Sequence, residues 1–474
     1  MDLHLLALLL LFLCKQGWTQ DEASEEGKIP LVPLIPLIPG KPITDLEPSA
    51  NGTTPEPSAG EEEDSSEGGL DGVCGPGVSR LESKLAIGSG IMNLGLKFLV
   101  NLKTGPGRPN VIISPLSLSL ALSQLALGAR NETEKLLFEH LHADALPCYH
   151  KSLSHLLKQF RKSTFQIATR MYLRQGFQAK EEFIKESVDL YGSDPATLTG
   201  LEEVNEWVEN ATNGQIVDFL SSLPPNIELM LINAVHYKGE WLTRFDPRFT
   251  STEPFHIDDK QVVNVDMMLG PKHPLSVFTH NELDAQVARL PFKGDKSLLV
   301  VLPISGQVNV SAMAAKLNIS DLYSRFPREI SMQVRIPKLK LDFGEELEDV
   351  MTKMGLGELF SGPNLAGIAE SPLLVSSVQH KSSMEINEEG AEAAATTSVS
   401  ISRSNPSFTV NQPFFLALMD DSTQTPLFLG VITNPNPGAA VVVRAALMKS
   451  LTTKDKMGFG FDKNYDYSFG TNPK

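Results

Sequence analysis

An arginine followed by a serine, Arg403-Ser404, lies in a segment that the sequence pattern places between two strands. A guanidinium presents its N–H donors in a planar fork, so it can pair with one carboxylate through two hydrogen bonds. Trypsin-like serine proteases carry such a carboxylate at the base of the pocket that accepts the residue before the cut bond. A lone arginine in a loop is usually a solvated charge, but this pair has in addition the side-chain chemistry that a trypsin-like protease accepts.

The residues that precede Arg403 alternate in character although they occupy a loop position. Written as an extended chain, one face is mostly apolar or small and the other mostly polar. The first face carries Ala391, Ala393, Ala395, Thr397, Val399 and Ile401, and the second carries Glu392, Ala394, Thr396, Ser398, Ser400 and Ser402. This is the pattern of a half-buried strand, so the segment is predicted to be able to enter a sheet. A plain edge strand and a mobile linker are the alternatives.

The same segment resembles the hinge of the serpin family, in which two acids and a glycine precede a run of small residues. The hinge residues are Glu388, Glu389, Gly390, Ala391, Glu392, Ala393, Ala394 and Ala395. Further stretches resemble serpin motifs in the same chain order. They are Asn110–Ser117, Leu231–Trp241, Phe245–Pro247, Val265–Met268, Ile336–Lys338, Met354–Leu356 and Asn411–Phe414. The resemblance covers about residues 80–437.

This resemblance implies an α+β serpin fold with three β-sheets, about nine helices and an exposed reactive-centre loop. It also implies a protease inhibitor, not an enzyme, which is cleaved at Arg403-Ser404 and then inserts its hinge into a sheet. Counting along the usual serpin loop places the bait at Ser404, one residue later, but side-chain chemistry favours Arg403. The alternative is a non-inhibitory serpin that acts in binding or signalling. Such members often have bulky, charged or proline residues where this chain has Ala391, Ala393 and Ala395.

Apolar periodicity predicts the elements that must position the loop. Ser114 and Pro115 mark a helix start, with a serine cap and a proline in the first turn, and this helix runs to Gly128. Further helices are predicted from near Thr133 to Leu141, at Leu153–Phe160 and at Val204–Ala211, and strands at Leu229–Val235, Ala285–Leu290, Leu298–Leu302, Met332–Ile336, Val378–Ile386, Phe414–Met419 and Pro426–Ile432. Helices first and strands later indicate an α+β fold with large antiparallel sheets.

Two segments precede the region that resembles serpins. Residues 1–19 contain the short apolar run Leu5–Leu13 and are predicted to be a signal peptide that is cleaved before Gln20. Residues 20–72 carry thirteen acidic side chains against two lysines and include a stretch with proline at every third position. This composition predicts a disordered acidic and proline-rich extension.

Residues 73–437 are predicted to form the serpin domain, and residues 438–474 a flexible tail. The formal net charge of −16 is concentrated in the extension, and no basic face indicates nucleic-acid binding. A secreted monomer of the plasma, with neither a membrane span nor a metal or cofactor, is the expectation.

Cysteines and glycosylation sequons fit secretion. Removal of the signal peptide leaves Cys74 and Cys148, which form either a disulfide or two buried free thiols. N-glycosylation is predicted at Asn51, Asn131, Asn210, Asn309 and Asn318.

The tail ends on Lys474, which carries an ammonium and a carboxylate together. The bait residue, the cysteine pair and the lysine-ended tail resemble those of serpins that inhibit plasmin. This closer resemblance implies that plasmin's kringle domains bind Lys474, aided by Lys454, Lys456 and Lys463. A merely solubilising tail is the alternative.

Other roles are predicted on weaker signals. Tyr467 lies beside an aspartate and is a candidate for sulfation, and Gln20 is a candidate for crosslinking to fibrin, although its surroundings depart from the plasmin-inhibitor pattern. His236 and His380 lie in strand-like runs and are predicted to be structural. Either a glycosaminoglycan site or a solvated helix face is predicted for Lys151, Lys158, Arg161 and Lys162. No HExxH, GxSxG, P-loop or metal-spaced Cys/His motif is present in the sequence.

Overall fold

The computed structural model describes residues 80–105, 107–144, 146, 148–160, 165–305, 308–392 and 406–443. The predicted signal peptide, the acidic extension and the tail beyond Val443 lie outside these residues. All described residues belong to one structural unit, Asp64–Lys474. Within them, no helix combines the length and the apolar character needed to cross a membrane.

Nine α-helices lie in the described ranges, most of them in the first half of the chain. They are α1 (Arg80–Asn101), α2 (Pro115–Gly128), α3 (Asn131–Leu141), α4 (Tyr149–Phe160), α5 (Glu181–Tyr191), α6 (Leu201–Ala211), α7 (Val310–Ala314), α8 (Ile319–Arg325) and α9 (Glu348–Met351). The start of α2 is confirmed: Ser114 accepts a hydrogen bond from the Ser117 backbone N–H at 3.4 Å, and Pro115 occupies the first turn.

Seventeen strands lie in the same ranges. They are β1 (Val111–Ile113), β2 (Phe165–Leu173), β3 (Ala196–Thr197), β4 (Leu229–Lys238), β5 (Trp241–Thr243), β6 (Ser251–His256), β7 (Gln261–His280), β8 (Ala285–Phe292), β9 (Lys296–Pro303), β10 (Ile330–Pro337), β11 (Leu339–Glu346), β12 (Val375–Ile386), β13 (Gly390–Glu392), β14 (Ser407–Thr409), β15 (Phe414–Asp420), β16 (Thr425–Ile432) and β17 (Val442–Val443).

The strands form a five-stranded sheet and a larger one. The five-stranded sheet has the order β11-β12-β4-β2-β3. The larger sheet has the order β1-β16-β15-β9-β8-β7-β10-β14, with β5, β6, β13 and β17 attached to its sides. The long strand β7 pairs with β6 and β10 along one part and with β8 at its end, so two sheets are continuous through it. This arrangement agrees with the predicted three-sheet α+β architecture.

Both faces of the five-stranded sheet are covered, which explains why β4 is almost entirely apolar. Met230 and Ile232 face a small core under α6, where they join Val204 and Val208. The intervening residues of β4, such as Leu231, belong to the main core between the sheets and the helices. Side chains alternate between faces along a strand, so one unbroken apolar run serves both cores.

Five helices, α1, α5, α7, α8 and α9, and several strands, among them the longest, β7, were not predicted. The helices α1 and α5 have no strong cap signal, and β7 contains Pro271 and Pro274, which argue against a strand because proline lacks an N–H. The register between β7 and β10 shifts at this point, and residues 271 and 272 pair with no residue of β10. A bulge therefore accommodates Pro271, since an unpaired residue needs no ladder hydrogen bond.

The end of the domain is tied to its beginning by the side chain of Asn110. Its Oδ1 accepts hydrogen bonds from the backbone N–H groups of Thr433 and Asn434, each at 3.0 Å, and its Nδ2 donates to the Asn434 carbonyl at 2.6 Å. The Thr433 hydroxyl donates to the Pro109 carbonyl at 2.6 Å. These bonds fix the point from which the chain continues to β17.

Replacement of Asn110 by alanine should lower the free energy of unfolding by about 1–3 kcal/mol, because it leaves partly buried backbone groups without partners. Urea-induced unfolding measures the change. Asn101→Ala is the matched control: this exposed amide donates to the Lys97 carbonyl of its own helix, so a change within about 0.5 kcal/mol is expected. Equal losses in the two variants would contradict this role of Asn110.

Candidate functional site: the hinge and the sheet seam

The central feature of the five-stranded sheet is the pairing of β4 with β12. These strands are parallel and adjacent, in a register that runs from Val375 opposite Leu229 to Glu385 opposite Lys238. We call this junction the seam. The hinge follows β12 directly in sequence, yet no strand lies between β4 and β12. The sheet is therefore closed at this junction, and the described hinge residues, 388–392, are outside it.

A buried polar cluster lies at the middle of the seam. Asn233 of β4 accepts hydrogen bonds at its Oδ1 from the Ser117 hydroxyl at 2.8 Å and from Nδ1 of His380 at 2.7 Å. Its Nδ2 donates to the Ser117 carbonyl at 2.6 Å and to the Thr169 hydroxyl at 3.3 Å. One amide thus connects helix α2 with strands β2, β4 and β12. Separation of the seam must break the bond between Asn233 and His380.

His380 is held in its neutral form. Burial lowers the pKa of His380 to about 3, because a charged imidazolium would lose its hydration. The bond to Asn233 requires the proton on Nδ1, while Nε2 is buried without a partner in the described structure. The structural role predicted for this histidine fits its position.

A segment that follows α6, residues 212–227, is tied to the outer face of the sheet. Lys381 of β12 donates to the carbonyls of Val217 and Asp218 at 3.2 and 3.0 Å. Helix α6 is itself held to β2 by Arg170, whose guanidinium lies 4.9 Å from the ring centroid of Trp207. Helix and segment are therefore bound to strands on each side of β4.

The first hinge residue, Glu388, is bound through both carboxylate oxygens. Thr250 donates to Oε1 at 2.7 Å, and the Lys338 ammonium lies 3.0 Å from Oε2. The backbone carbonyl of Glu388 accepts from the Phe245 N–H at 3.1 Å. Burial tends to raise the pKa of Glu388, but the bonds from Thr250 and Lys338 outweigh it and lower the pKa.

Trp241 of β5 holds the turn between β12 and the hinge. Its indole N–H donates to the Asn387 carbonyl at 2.7 Å, and its backbone N–H donates to the Glu389 carbonyl at 3.0 Å. The ring stacks on Phe292 with a centroid distance of 4.2 Å and meets Phe245 edge-on at 5.3 Å. The aromatic packing therefore fixes the two donors that the hinge backbone uses.

The next residues continue along β5 instead of turning towards the seam. Strand β13 pairs with β5 in parallel, Gly390 opposite Trp241 and Glu392 opposite Thr243. Lys238 forms an ion pair with Glu389 at 2.8 Å, and this hydrogen bond raises the pKa of Lys238. The hinge is thus docked by main-chain and side-chain contacts above the end of the seam.

The other end of the loop is anchored on the larger sheet. Strand β14 is parallel to β10, with Ser407 opposite Gln333 and Thr409 opposite Arg335, and Phe408 is buried between them. The residues between these anchors, 393–405, lie outside the described ranges. They include the predicted bond Arg403-Ser404 and the hinge alanines Ala393, Ala394 and Ala395; of Ala391 and Glu392 only the backbone is described.

The remaining predicted residues are only partly covered. Cys148 takes part in a disulfide, and its partner lies outside the described ranges, as does Cys74. Asn131 and Asn210 are exposed on α3 and α6. The residues Asn51, Arg161, Lys162, Lys454, Lys456, Lys463, Tyr467 and Lys474 also lie outside the described ranges.

Asn309 and Asn318 are exposed caps of α7 and α8. Asn309 accepts from the Ala312 N–H at 3.1 Å and Asn318 from the Asp321 N–H at 3.2 Å, both through Oδ1. The caps do not use Nδ2, the atom to which a glycan attaches, so capping and glycosylation are compatible. Within the described ranges, no group of three or more His, Cys, Asp and Glu side chains is arranged to hold a metal ion.

The chain belongs to the serpin family: residues 89–435 match the family model described as Serpin (serine protease inhibitor). It is similar to alpha-2-antiplasmin of Bos taurus, with 45% identity over 70% of this chain and 69% of that protein, and to alpha-2-antiplasmin of Mus musculus, with 45% identity over 70% and 68%. It is also similar to pigment epithelium-derived factor of Homo sapiens, with 31% identity over 69% and 81%.

Solved structures agree with this fold. The mouse protein Z-dependent protease inhibitor is similar with a TM-score of 0.66 at 24% identity, over 75% of this chain and 99% of that one. At this identity the similarity bears on the fold alone. Uncleaved ovalbumin is similar with a TM-score of 0.66 at 25% identity, over 74% of this chain and 100% of that one. The resemblance stated from the sequence motifs is confirmed.

Burial of His380 should make the protein less stable in acid. The unfolded chain takes up a proton near pH 6.5, whereas folded His380 does so only near pH 3, so falling pH favours unfolding throughout this window. The contribution approaches about 1.4 kcal/mol per pH unit. Chemical unfolding between pH 7 and pH 4 should show a shallower slope for His380→Gln, in which an amide replaces the titrating ring. Identical slopes would contradict the assignment.

Proposed function

We propose that this serpin is a secreted suicide-substrate inhibitor of trypsin-like serine proteases, with Arg403-Ser404 as the reactive bond. The observation that carries the proposal is the closed parallel seam with the hinge docked beside it. Such a sheet has a place for one more strand, and the chain that would fill it follows directly from β12. The Serpin family match and the antiplasmin relatives support an inhibitory role.

The first step is cleavage. The serine hydroxyl of the protease attacks the carbonyl carbon of Arg403, the bond to Ser404 breaks, and the amine of Ser404 leaves with the proton. An ester now joins Arg403 to the protease, and the loop is no longer attached at β14. Hydrolysis of this ester would release an active protease, so inhibition requires that a faster event intervene.

The faster event is insertion of the hinge into the seam. Because β12 leads into the hinge through a turn, the new strand would run antiparallel to both β4 and β12. It would replace one parallel ladder by two antiparallel ones, with about ten additional hydrogen bonds worth ~1 kcal/mol each. An insertion of about fourteen residues at ~3.3 Å each would move the attached protease by almost 50 Å. Distortion of the displaced protease then stops hydrolysis of the ester.

Plasmin is the protease that we propose as the principal target. The tail leaves the body at β17, where Val442 pairs with Val262 and Val443 with Gln261 of β7. The loop anchor β14 pairs with β10, and Arg335 of β10 pairs with Leu269 of β7. Eight residues of β7 separate these positions, at most roughly 26 Å. The remaining tail, residues 444–474, spans at most about 100 Å when extended, so Lys474 is able to reach a domain of a protease held at the loop.

Additional proposals concern processing of the chain. We propose secretion into plasma after signal cleavage, a disulfide between Cys74 and Cys148, and glycosylation of the predicted sequons. Sulfation at Tyr467 and crosslinking of Gln20 to fibrin stay weaker proposals, because each depends on a short local signal. A non-inhibitory binding role is the second candidate function, since pigment epithelium-derived factor, whose name records no protease, is among the relatives.

The decisive experiment mixes the mature protein with trypsin and with plasmin, followed by denaturing gels and sequencing of the released peptide. A complex stable in detergent and a peptide that begins at Ser404 are expected. Arg403→Ala should lower the rate of complex formation with trypsin by at least ~100-fold, because the carboxylate of the specificity pocket loses its partner. Cleavage without any complex would favour the non-inhibitory role.

Ala391→Arg should convert the inhibitor into a substrate. Residue 391 would face the core after insertion, and burial of an unpaired guanidinium costs several kcal/mol. Ala394→Arg, which places the same side chain on the opposite face of the inserted strand, should keep most of the inhibitory activity. The number of inhibitor molecules consumed per trypsin molecule separates the two variants, and a stable complex with Ala391→Arg would contradict insertion.

Removal of residues 450–474 should slow association with plasmin at least about tenfold, since a second tethered contact raises the effective concentration of the reactive loop. Association with trypsin, which lacks lysine-binding domains, should be unchanged. Stopped-flow kinetics with both proteases measures the two rates, and Lys474→Ala tests the terminal side chain alone. Equal slowing of both reactions would contradict recruitment through the tail.

A further inference from the structure

The docking of the hinge on β5 has a consequence for the rate of insertion. Two contacts hold residues 389–392 there: the parallel pairing of β13 with β5, which begins with the bond from the Trp241 N–H to the Glu389 carbonyl, and the ion pair of Lys238 with Glu389. Insertion must break each of them, because the same hinge cannot pair with β5 and enter the seam.

Gly390 permits this docking by the absence of a side chain. A Cβ at this position would lie 2.6 Å from the Trp241 carbonyl oxygen and 2.8 Å from the backbone N of Arg244. Both neighbours are backbone atoms of a segment whose Trp241 is fully buried, so they cannot yield as a flexible side chain would. Any larger residue must therefore lift the hinge from β5.

Lys238 connects the docked hinge to the seam. It is the last residue of β4, opposite Glu385 of β12, and its ammonium reaches across to Glu389 in the hinge. Both partners are partly exposed, so the pair is a modest contact, and its loss should weaken the docking without disturbing the core.

We propose that the β13–β5 pairing is a latch that delays entry of the hinge into the seam, and that Gly390 and Lys238 set its strength. This inference depends on the proposed function and concerns the regulation of the same site. The latch stabilises the docked hinge but not the inserted strand. Weakening it should accelerate insertion after cleavage, so that fewer acyl-enzyme molecules are lost to hydrolysis.

Gly390→Ala and Lys238→Met test the latch on the full-length protein. The rate at which trypsin, labelled with a fluorophore, becomes trapped should rise roughly five- to tenfold for Gly390→Ala and up to about threefold for Lys238→Met. In the uncleaved protein, amide exchange of residues 241–245 should also become faster in Gly390→Ala, because their N–H groups lose hinge partners. Lys293→Met is the control, since the ion pair that Lys293 forms within the described residues is with Glu240 in the adjacent loop, at 3.2 Å.

The outcomes separate the latch from the underlying mechanism. If the wild-type protein traps trypsin and both variants trap it at the wild-type rate, the latch is disproved while the inhibitory function stands. If the wild-type protein forms no trapped complex, the proposed function itself fails. Slower trapping in both variants, with Lys293→Met unchanged, would also overturn the latch, because it would mean that contact with β5 guides the hinge into the seam.

Discussion

The structure depends on one parallel pairing, that of β4 with β12. The two strands pair along almost their whole length, yet the hinge that follows has the composition of a strand, and its described residues, 388–392, are not part of the five-stranded sheet. Antiparallel pairing on both sides of an inserted strand would satisfy more backbone groups than the seam does. Under the proposed function, insertion of the cut loop would therefore give a more stable pairing than the one in the uncut protein.

The contacts around the seam differ in burial. Asn233 and His380 form a buried polar cluster in which the neutral state of His380 is maintained by burial. Residues 389–392 of the hinge, by contrast, are held by backbone bonds to β5 and by the partly exposed ion pair of Glu389 with Lys238, whereas the Glu388 side chain is only 13% exposed. A buried cluster is costly to open, whereas exposed ion pairs are weak. This difference fits the proposed mechanism, in which the sheet stays closed until the loop is cut.

Much of the fold followed from the sequence, but the hinge geometry did not. Strands with unbroken apolar runs, such as β4 and β16, and the capped helix α2 were predicted close to their true bounds, because their signals are local. Strand β7 was missed because Pro271 lies in a bulge, and a bulge is defined by the partner strand. The hinge was recognised by its residues, while its pairing with β5 depends on contacts between positions roughly 150 residues apart in the sequence.

The most direct test of the central claim is the thermal unfolding of the protein before and after a single cut in the loop. A protease that cleaves between residues 393 and 405 without being trapped would release the segment from β14. If the loop then enters the seam, the midpoint of unfolding should rise by about 10 °C or more, the shift expected for about 10 kcal/mol in a domain of roughly 360 residues. An unchanged or lower midpoint in the cut protein would contradict the account.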